Sequence, residues 1–499
     1  MNPDTPNSES KRDVPSSFKN WVSLAGSILA IGSLFAFLFL VAMDTMAHNG
    51  NPYLGILTYI VAPAFLIAGL ALIFVGWWMQ RRQRAHGAQV ETGLFALSID
   101  FSRPRDRRFL LIFGSGSIVF LLLTAFGSYQ TYHFTESVQF CGETCHGVMQ
   151  PEYTTYQQSP HARVSCAECH IGSGASWYVK SKLSGAYQVY ATIFNKYERP
   201  IPTPVANLRP AQDTCERCHW PEKFTGSLDR TYQHYLSDKN NTPYTVRLLL
   251  RVGGGQPGHG PFGGIHWHMN VANKVEYYAK DRQRQNIPWV RVTSRDGKVT
   301  VFRTPDFKGE PPAASIRVMD CMDCHNHPAH IMKTANQVVE GEMATGAIPT
   351  NLPFLKRNAV DAISAKYKTE SDAMSGIAAY IEGKYKGDKE VPGIVAALQS
   401  GYRENFFPEM KADWRSYPND IGHKDWLGCF RCHDDNHVST DGKEMVKGSD
   451  CNMCHVILSQ GRGAELTRMA PTGLEFKHPG GDLDPALTCS DCHNGQNQK

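Results

Sequence analysis

The chain has 499 residues, more than one ordinary domain holds, with 42% hydrophobic and 20% charged residues and a formal net charge of +4. So small a basic excess gives nucleic-acid binding no support. Its fourteen cysteines leave none over once they are paired along the chain, and a histidine directly after every pair excludes a plain disulfide framework.

Three long apolar stretches come first: Trp21 to Met43, Tyr53 to Met79 and Phe109 to Tyr129. Each is free of charge and long enough, as a helix, to span a hydrocarbon core of about 30 Å. The first is also longer than the apolar region of a cleaved signal peptide. Three transmembrane helices are therefore predicted, and residues 1–131 are read as a membrane anchor. Between the second and third stretches stand Arg81, Arg82, Arg84, Arg103, Arg105, Arg107 and Arg108, whereas the connection from Asp44 to Pro52 has no Lys or Arg. By the preference of basic loops for the cytoplasm, the N-terminus and the Arg-rich loop face inward and everything after Tyr129 is exported. In a bacterium this puts the chain in the inner membrane with its large portion in the periplasm.

The exported portion carries the cysteine pairs with their histidines: Cys141/Cys145/His146, Cys166/Cys169/His170, Cys215/Cys218/His219, Cys321/Cys324/His325, Cys429/Cys432/His433, Cys451/Cys454/His455 and Cys489/Cys492/His493. Six read C-x-x-C-H, and the first, CGETCH, has one residue more. This is the attachment pattern of c-type haem. Two thioethers reach the two vinyl groups on one porphyrin edge, and the next side chain folds under the ring so that its imidazole ligates iron. Zinc would need pairs of pairs, and seven pairs cannot be so divided. Histidine is 20 of 499 residues, so seven such coincidences are excluded. Seven covalent haems are expected, attached on the exported side, which agrees with the arginine pattern.

The intervals between successive motif histidines are 24, 49, 106, 108, 22 and 38 residues, a repeat of a cofactor site and not of a solenoid unit. Proline- and glycine-rich runs, Glu198 to Pro210 and Val252 to Gly264, read as irregular connectors. Val290 to Phe302, two β-branched runs about an Arg295-Asp296-Gly297-Lys298 turn, reads as a hairpin. Helical periodicity is best in Asn358 to Lys368 and Ser371 to Lys384. The expected fold is a mainly α and irregular multihaem cytochrome c with a small β insertion. Residues 132–332 would hold haems one to four and 333–499 haems five to seven, much of the apolar core being porphyrin.

A low-spin haem needs a second axial ligand, usually His or Met. Outside the motifs the exported part offers His133, His161, His234, His259, His266, His268, His327, His330, His423, His437 and His478, eleven for at most seven positions. Met149, His330, His437 and His423 stand at suggestive offsets from motifs. Of His266 and His268 in GGIHWHMN, one ligand and one neighbour are expected. Lys182, Gln188, His133 and Glu136 are polar candidates near the membrane for contact with a quinol, the last two read more simply as interface residues.

The stretch CGETCHGVMQPEYTTYQQSPHARVSCAECHIG, preceded by an apolar helix and followed by WYVKSKLSGAYQVYATIF and CERCHWPEKF, resembles the NapC/NirT family of membrane-anchored quinol dehydrogenases, over about Phe109 to Phe224. The remainder, with four more motifs and three spans, resembles the heptahaem inner-membrane cytochromes by which metal-reducing bacteria pass menaquinol electrons outward. The resemblance implies oxidation of menaquinol near the first haem and reduction of periplasmic multihaem cytochromes. It implies that Met149 ligates the first haem, three residues past His146 where the family has two, and that His161 is the distal ligand of another. Lys182 matches a lysine of the family's quinol pocket. Gln188 stands where better-known members carry Asp or Glu. Two other readings stay open: a terminal reductase of nitrite, hydroxylamine or a sulfur oxyanion with an open iron position, CGETCH being the suspect, and a conduction-only subunit fed by another integral membrane protein.

Overall fold

The computed structural model describes residues 21–46, 57–85, 104–144, 146–171, 175–205, 208–254, 263–270, 273–481 and 492–493. Cys145 and Cys489 lie outside the described residues, as does the side chain of His146. The chain divides into two compact units, Met1–Thr144 and Cys145–Lys499.

In the first unit, helix α1 (Trp21–Met46) packs along α2 (Ala62–Ala85), which a π-helical turn, Leu57–Val61, introduces. The contact is made by glycine. A Cβ on Gly26 would stand 2.6 Å from the Gly69 carbonyl oxygen, and one on Gly69 would stand 2.7 Å from the Ala30 nitrogen. Small residues that let two backbones meet replace the hydrophobic effect as the packing device of helices in lipid. The outer faces carry Ile28, Ile31, Phe35, Ile67 and Phe74, all exposed. At the end of α2 the Arg82 guanidinium lies 4.2 Å from the centre of the Trp78 ring, a pairing suited to the headgroup layer. Among the described residues two helices are long and apolar enough to cross a membrane, Trp21–Ala42 and Leu57–Met79. The third apolar stretch lies inside α3 (Pro104–Thr135), a continuous helix of 32 residues. Its Gly127 and Ser128 meet Tyr59 of the π turn, Ser128 Oγ donating to the Tyr59 carbonyl at 3.0 Å.

The second unit begins with α4 (His146–Gln157) and α5 (Ala175–Ile193). The expected hairpin is present as β4 (Trp289–Thr293) and β5 (Val299–Arg303), closed by Ser294 N–H donating to the Lys298 carbonyl, with Gly297 at φ +80°. It belongs to more β structure than the sequence suggested. Two earlier strands, β1 (Leu228–Tyr235) and β2 (Pro243–Leu250), are antiparallel, and β2 also pairs with β8 (His455–Gly461). A second sheet has the order β6-β3-β4-β5-β7, with β3 Lys274–Tyr278, β6 Arg317–Val318 and β7 Val438–Ser439. Strands β7 and β8 come from the last three-motif segment and complete sheets begun between motifs three and four. Period-two patterning could not reveal them, because β1 is exposed over most of its length and β8 is buried on both faces.

Four helices fill the long interval between motifs four and five: α6 (Ala335–Thr345), α7 (Leu355–Ser364), α8 (Glu370–Lys384) and α9 (Val391–Asn405). The expected pair appears as α7 and α8. A capping box starts α6, Thr334 Oγ1 accepting from Gln337 N–H while Gln337 Oε1 accepts from Thr334 N–H, and Gly346 at φ +81° ends it. Leu355, Ile363, Ile377, Ile381, Ile394 and Leu398 form a conventional aliphatic core. This segment holds no attachment motif, so it must bury its own side chains, each fully buried one contributing roughly 1.5–3 kcal/mol.

Candidate functional site

Each C-x-x-C-H motif with a described start opens a short helical turn, seen at Cys166–His170, Cys215–Arg217, Cys321–Asp323 and Cys451–Met453, and at Gly428–Arg431 one residue earlier. A tight turn brings both sulfurs and the following imidazole to one side. The protein itself leaves the motif cysteines uncovered or only partly covered. Cys169, Cys218, Cys429, Cys451 and Cys492 are exposed, and Cys166, Cys215, Cys321, Cys324, Cys432 and Cys454 are half-buried. The physical reason is that a sulfur bonded to a vinyl group at a porphyrin edge needs a face left uncovered by protein. Of the last motif only Cys492 and His493 are described.

Across from six motif histidines stands a second imidazole. The ring centres of His161 and His219 are 6.0 Å apart, His170 and His330 6.4 Å, and His266 and His325 6.3 Å. Those of His268 and His433 are 5.8 Å apart, His423 and His455 6.2 Å, and His478 and His493 6.3 Å. An iron between two imidazoles, with metal–nitrogen bonds of about 2 Å and each nitrogen about 1 Å from its ring centre, requires roughly 6 Å. The residues present therefore fit iron held by two imidazoles.

The hydrogen bonds of these rings point the same way. The Nδ1 atoms of His161, His330, His266, His268 and His433 bond to the carbonyls of Pro328, Glu152, Val252, Ile265 and Lys447, at 2.6–3.1 Å. A carbonyl accepts, so Nδ1 carries the proton and Nε2 keeps its lone pair for a metal. At the last site the His478 Nδ1 instead accepts from Gly480 N–H. Burial pushes the His330 imidazole down to about 4, against the Glu152 carbonyl, and lowers His170, His268, His325 and His455. The lowering favours the neutral form, the one that ligates. Among the described residues no cluster of three or more His, Cys, Asp or Glu is built to hold a bare metal ion.

Both His266 and His268 face motif histidines, where only one was expected to. Their turn, Ile265–Met269, serves two sites. His437 faces none. It is 1% exposed, its Nδ1 bonded to Asp434 Oδ1 at 2.8 Å and its Nε2 to the Ile287 carbonyl at 2.7 Å. Both acceptors occupy its nitrogens, so the expectation that it ligates iron is replaced by a structural role. His234 is likewise turned to protein, its Nδ1 2.9 Å from Glu340 Oε2. His327 is half-buried beside Tyr417, 5.7 Å between ring centres. Which motif pairs with which histidine was not legible in sequence, since partners lie as far apart as His170 and His330.

At the first motif, Cys141 lies in a π-helical turn, Phe140–Thr144, and Met149 on α4 packs against the aliphatic core. Of the quinol candidates, His133 is exposed and rests on Tyr129, ring centres 4.4 Å apart, while Glu136 is half-buried. Lys182 and Gln188 lie on α5. The helix contains no Asp or Glu and exposes Leu183, Tyr187 and Tyr190. At 3.6 residues per turn, Lys182 and Gln188 stand on opposite flanks of this apolar stripe, each about 100° or more from its centre. Lys182 is half-buried, and Gln188 is exposed with its Nε2 3.5 Å from Ser184 Oγ.

Sequence reasoning missed a buried charged cluster around motifs four and five. Asp323 is 2% exposed and accepts from Tyr277 Oη at 2.6 Å, Arg284 Nη1 at 2.5 Å and Arg317 Nε at 2.7 Å. Arg431 pairs with buried Asp420 at 3.0 Å. A lone Asp or Arg inside C-x-x-C gives no outward sign of such a network.

Residues 103–201 match the family model for the NapC/NirT cytochrome c family, N-terminal region. The chain is 41% identical to the cytochrome c-type protein ImcH of Geobacter sulfurreducens over 491 residues, 95% of each chain. It is 35% identical to the cytochrome c-type protein NrfH of Wolinella succinogenes over 94 residues, 18% of this chain and 52% of that one. No solved structure matches it.

Proposed function

The chain belongs to the NapC/NirT cytochrome c family, and from that premise we propose that it oxidises menaquinol in the bacterial inner membrane and passes the electrons to periplasmic multihaem cytochromes. The observation that carries this reading is the set of six imidazole pairs at 5.8–6.4 Å. Two nitrogens per iron leave no position for a substrate, which favours conduction and counts against a terminal reductase.

Seven haems would be held by the fourteen motif cysteines, with His146, His170, His219, His325, His433, His455 and His493 as motif ligands. His330, His161, His266, His268, His423 and His478 would close sites two to seven, and Met149 would serve the first. Haem bound there supplies reversible one-electron acceptance. The chain would orient it through the carbonyls that accept from Nδ1 of His161, His330, His266, His268 and His433, and through burial.

Three helices, α1, α2 and α3, would cross the membrane, with the Arg-rich segment between α2 and α3 inside and the cysteine motifs outside. Cys141 follows the end of α3 by six residues, so the first motif is tethered near the membrane surface. Helix α5, with its apolar stripe and no acidic residue, suits the lipid boundary. Lys182 on one flank would hold a quinol oxygen by hydrogen bond. Gln188 on the other has no proton to exchange near neutrality, so it would orient and not accept. The quinol's two protons then leave to the exported side.

Stopped-flow reduction of the detergent-solubilised holoprotein by a menaquinol analogue tests this. Rapid reduction of the haems, slowed at least tenfold by Lys182→Ala, is expected. Failure of the parent protein to accept quinol electrons would remove quinol oxidation from the account.

A further inference from the structure

We infer that attachment motifs two to seven stand in file in chain order, each in contact with the next, so that the motif ending in His493 is the exit end of the relay. The inference rests on the proposed function only for the direction of flow; the order itself comes from contacts between motifs.

Motifs two and three meet through the residues inside their C-x-x-C turns: Arg217 Nη1 donates to Glu168 Oε2 at 2.9 Å. Cys169 also lies within electrostatic reach of Cys218. Motifs three and four are joined by the Pro328 carbonyl, three residues past His325, which accepts from Nδ1 of His161, the facing histidine of site three, at 3.1 Å, and Cys215 lies within electrostatic reach of Cys321. Motifs four and five are joined by Arg431 Nη2, which donates to the Asp323 carbonyl at 2.7 Å, and Cys429 lies within reach of Cys324. One turn, Ile265–Met269, supplies the facing histidine of both.

Cys429 is also within reach of Cys454 of motif six. The Arg251 backbone completes that joint: its N–H donates to the Cys454 carbonyl at 2.8 Å, and its own carbonyl accepts from Ile265 N–H at 2.8 Å. The last step runs through the loop of His423, which faces His455. The segment of His478, which faces His493, lies along the strand that His455 opens, Leu474 N–H donating to the Ile457 carbonyl at 2.9 Å and Lys477 N–H to Gln460 Oε1 at 3.2 Å, and Lys424 and Asp425, next after His423, act electrostatically on the His493 ring.

The file bends at its start. Segment 321–330 supplies His325 to site four and His330 to site two, and its Pro328 carbonyl holds His161 of site three. Beyond site four, Cys429 lies within reach of both Cys324 and Cys454, and bonds from Asn326, next after His325, also reach Pro418 and Asp420 on the loop that carries His423. Haem held by these residues would supply one-electron transfer along the file, with no bond made or broken. The reductant is the quinol.

The test exchanges a facing histidine for methionine, which raises the potential of one site, and reads the others by redox titration with chemical mediators, site by site through haem-methyl NMR. His268→Met should shift the midpoints of sites four and six and leave two and seven in place. His423→Met should shift five and seven. An equal shift at site two from His268→Met, or no shift at four and six, would overturn the order. Mediators replace quinol throughout, so a protein that titrates as expected yet refuses quinol would remove the proposed donor and leave the file standing.

Discussion

Arg431, between the two cysteines of the fifth motif, donates from Nη2 to the main-chain carbonyl of Asp323, between the two cysteines of the fourth, at 2.7 Å. Its other nitrogens reach the Gly428 and Arg284 carbonyls at 2.8 and 3.1 Å, and it pairs with Asp420 at 3.0 Å. One guanidinium, 8% exposed, thus spends its donors on fixing two attachment turns to each other.

Arg431→Met keeps the bulk and removes the charge, leaving Asp420 buried without its cation. Burial already pushes that carboxyl up to about 6, against the pull of Arg431. Breaking such a pair costs about 3–5 kcal/mol. Urea unfolding followed by haem absorbance should show a loss of that order, with the spectra of sites four and five disturbed first. A loss under about 1 kcal/mol, the range of an exposed pair, would mean that the two turns are held by other contacts.

The four-helix segment makes a separate prediction. Leu398 is fully buried among Ile377, Ile394 and Val338 of a core that contains no attachment motif. Leu398→Ala should cost about 2–5 kcal/mol while leaving the low-spin spectra of the six imidazole-paired haems unchanged, any disturbance falling on the first site, whose Met149 packs against this core. Altered spectra at the six imidazole-paired haems under native conditions would tie this core to those sites more closely than its position in the chain implies.

Glu340 gives the pH dependence. Burial works to raise its carboxyl, but the His234 hydrogen bond and the Lys356 charge outweigh it and bring the group from 4.5 to about 2. A carboxyl depressed on folding stabilises above its unfolded value and loses that contribution as pH falls through the folded one. About 3 kcal/mol should therefore disappear between pH 4.5 and 2. Denaturant titrations across that window measure it, and Glu340→Gln should flatten the slope. An unchanged slope in the variant would assign acid sensitivity to other groups.

His437 and His268 separate structure from ligation. His437→Gln should leave every haem low-spin, because both nitrogens of that ring are bonded to Asp434 and Ile287. His268→Ala should open the fifth site and produce a high-spin band. The reverse pattern would exchange their roles.

These contrasts mark how much was legible in the sequence. Covalent spacing fixes C-x-x-C-H, so the attachment residues could be read directly. Apolar length did the same for Trp21–Ala42 and Leu57–Met79. The hairpin at Arg295 to Lys298 and helices α7 and α8 followed from local periodicity. Pairings such as His268 with His433 are set by tertiary folding, as is the completion of two sheets by Val438–Ser439 and His455–Gly461. His437 looked like a ligand by offset alone; only its two acceptors distinguish it.

Near-infrared magnetic circular dichroism of the fully oxidised, detergent-solubilised protein reports axial ligands directly. The six imidazole pairs predict that six of the haems carry two nitrogen ligands. A high-spin signal from two or more haems, or sulfur ligation at several, would contradict the account.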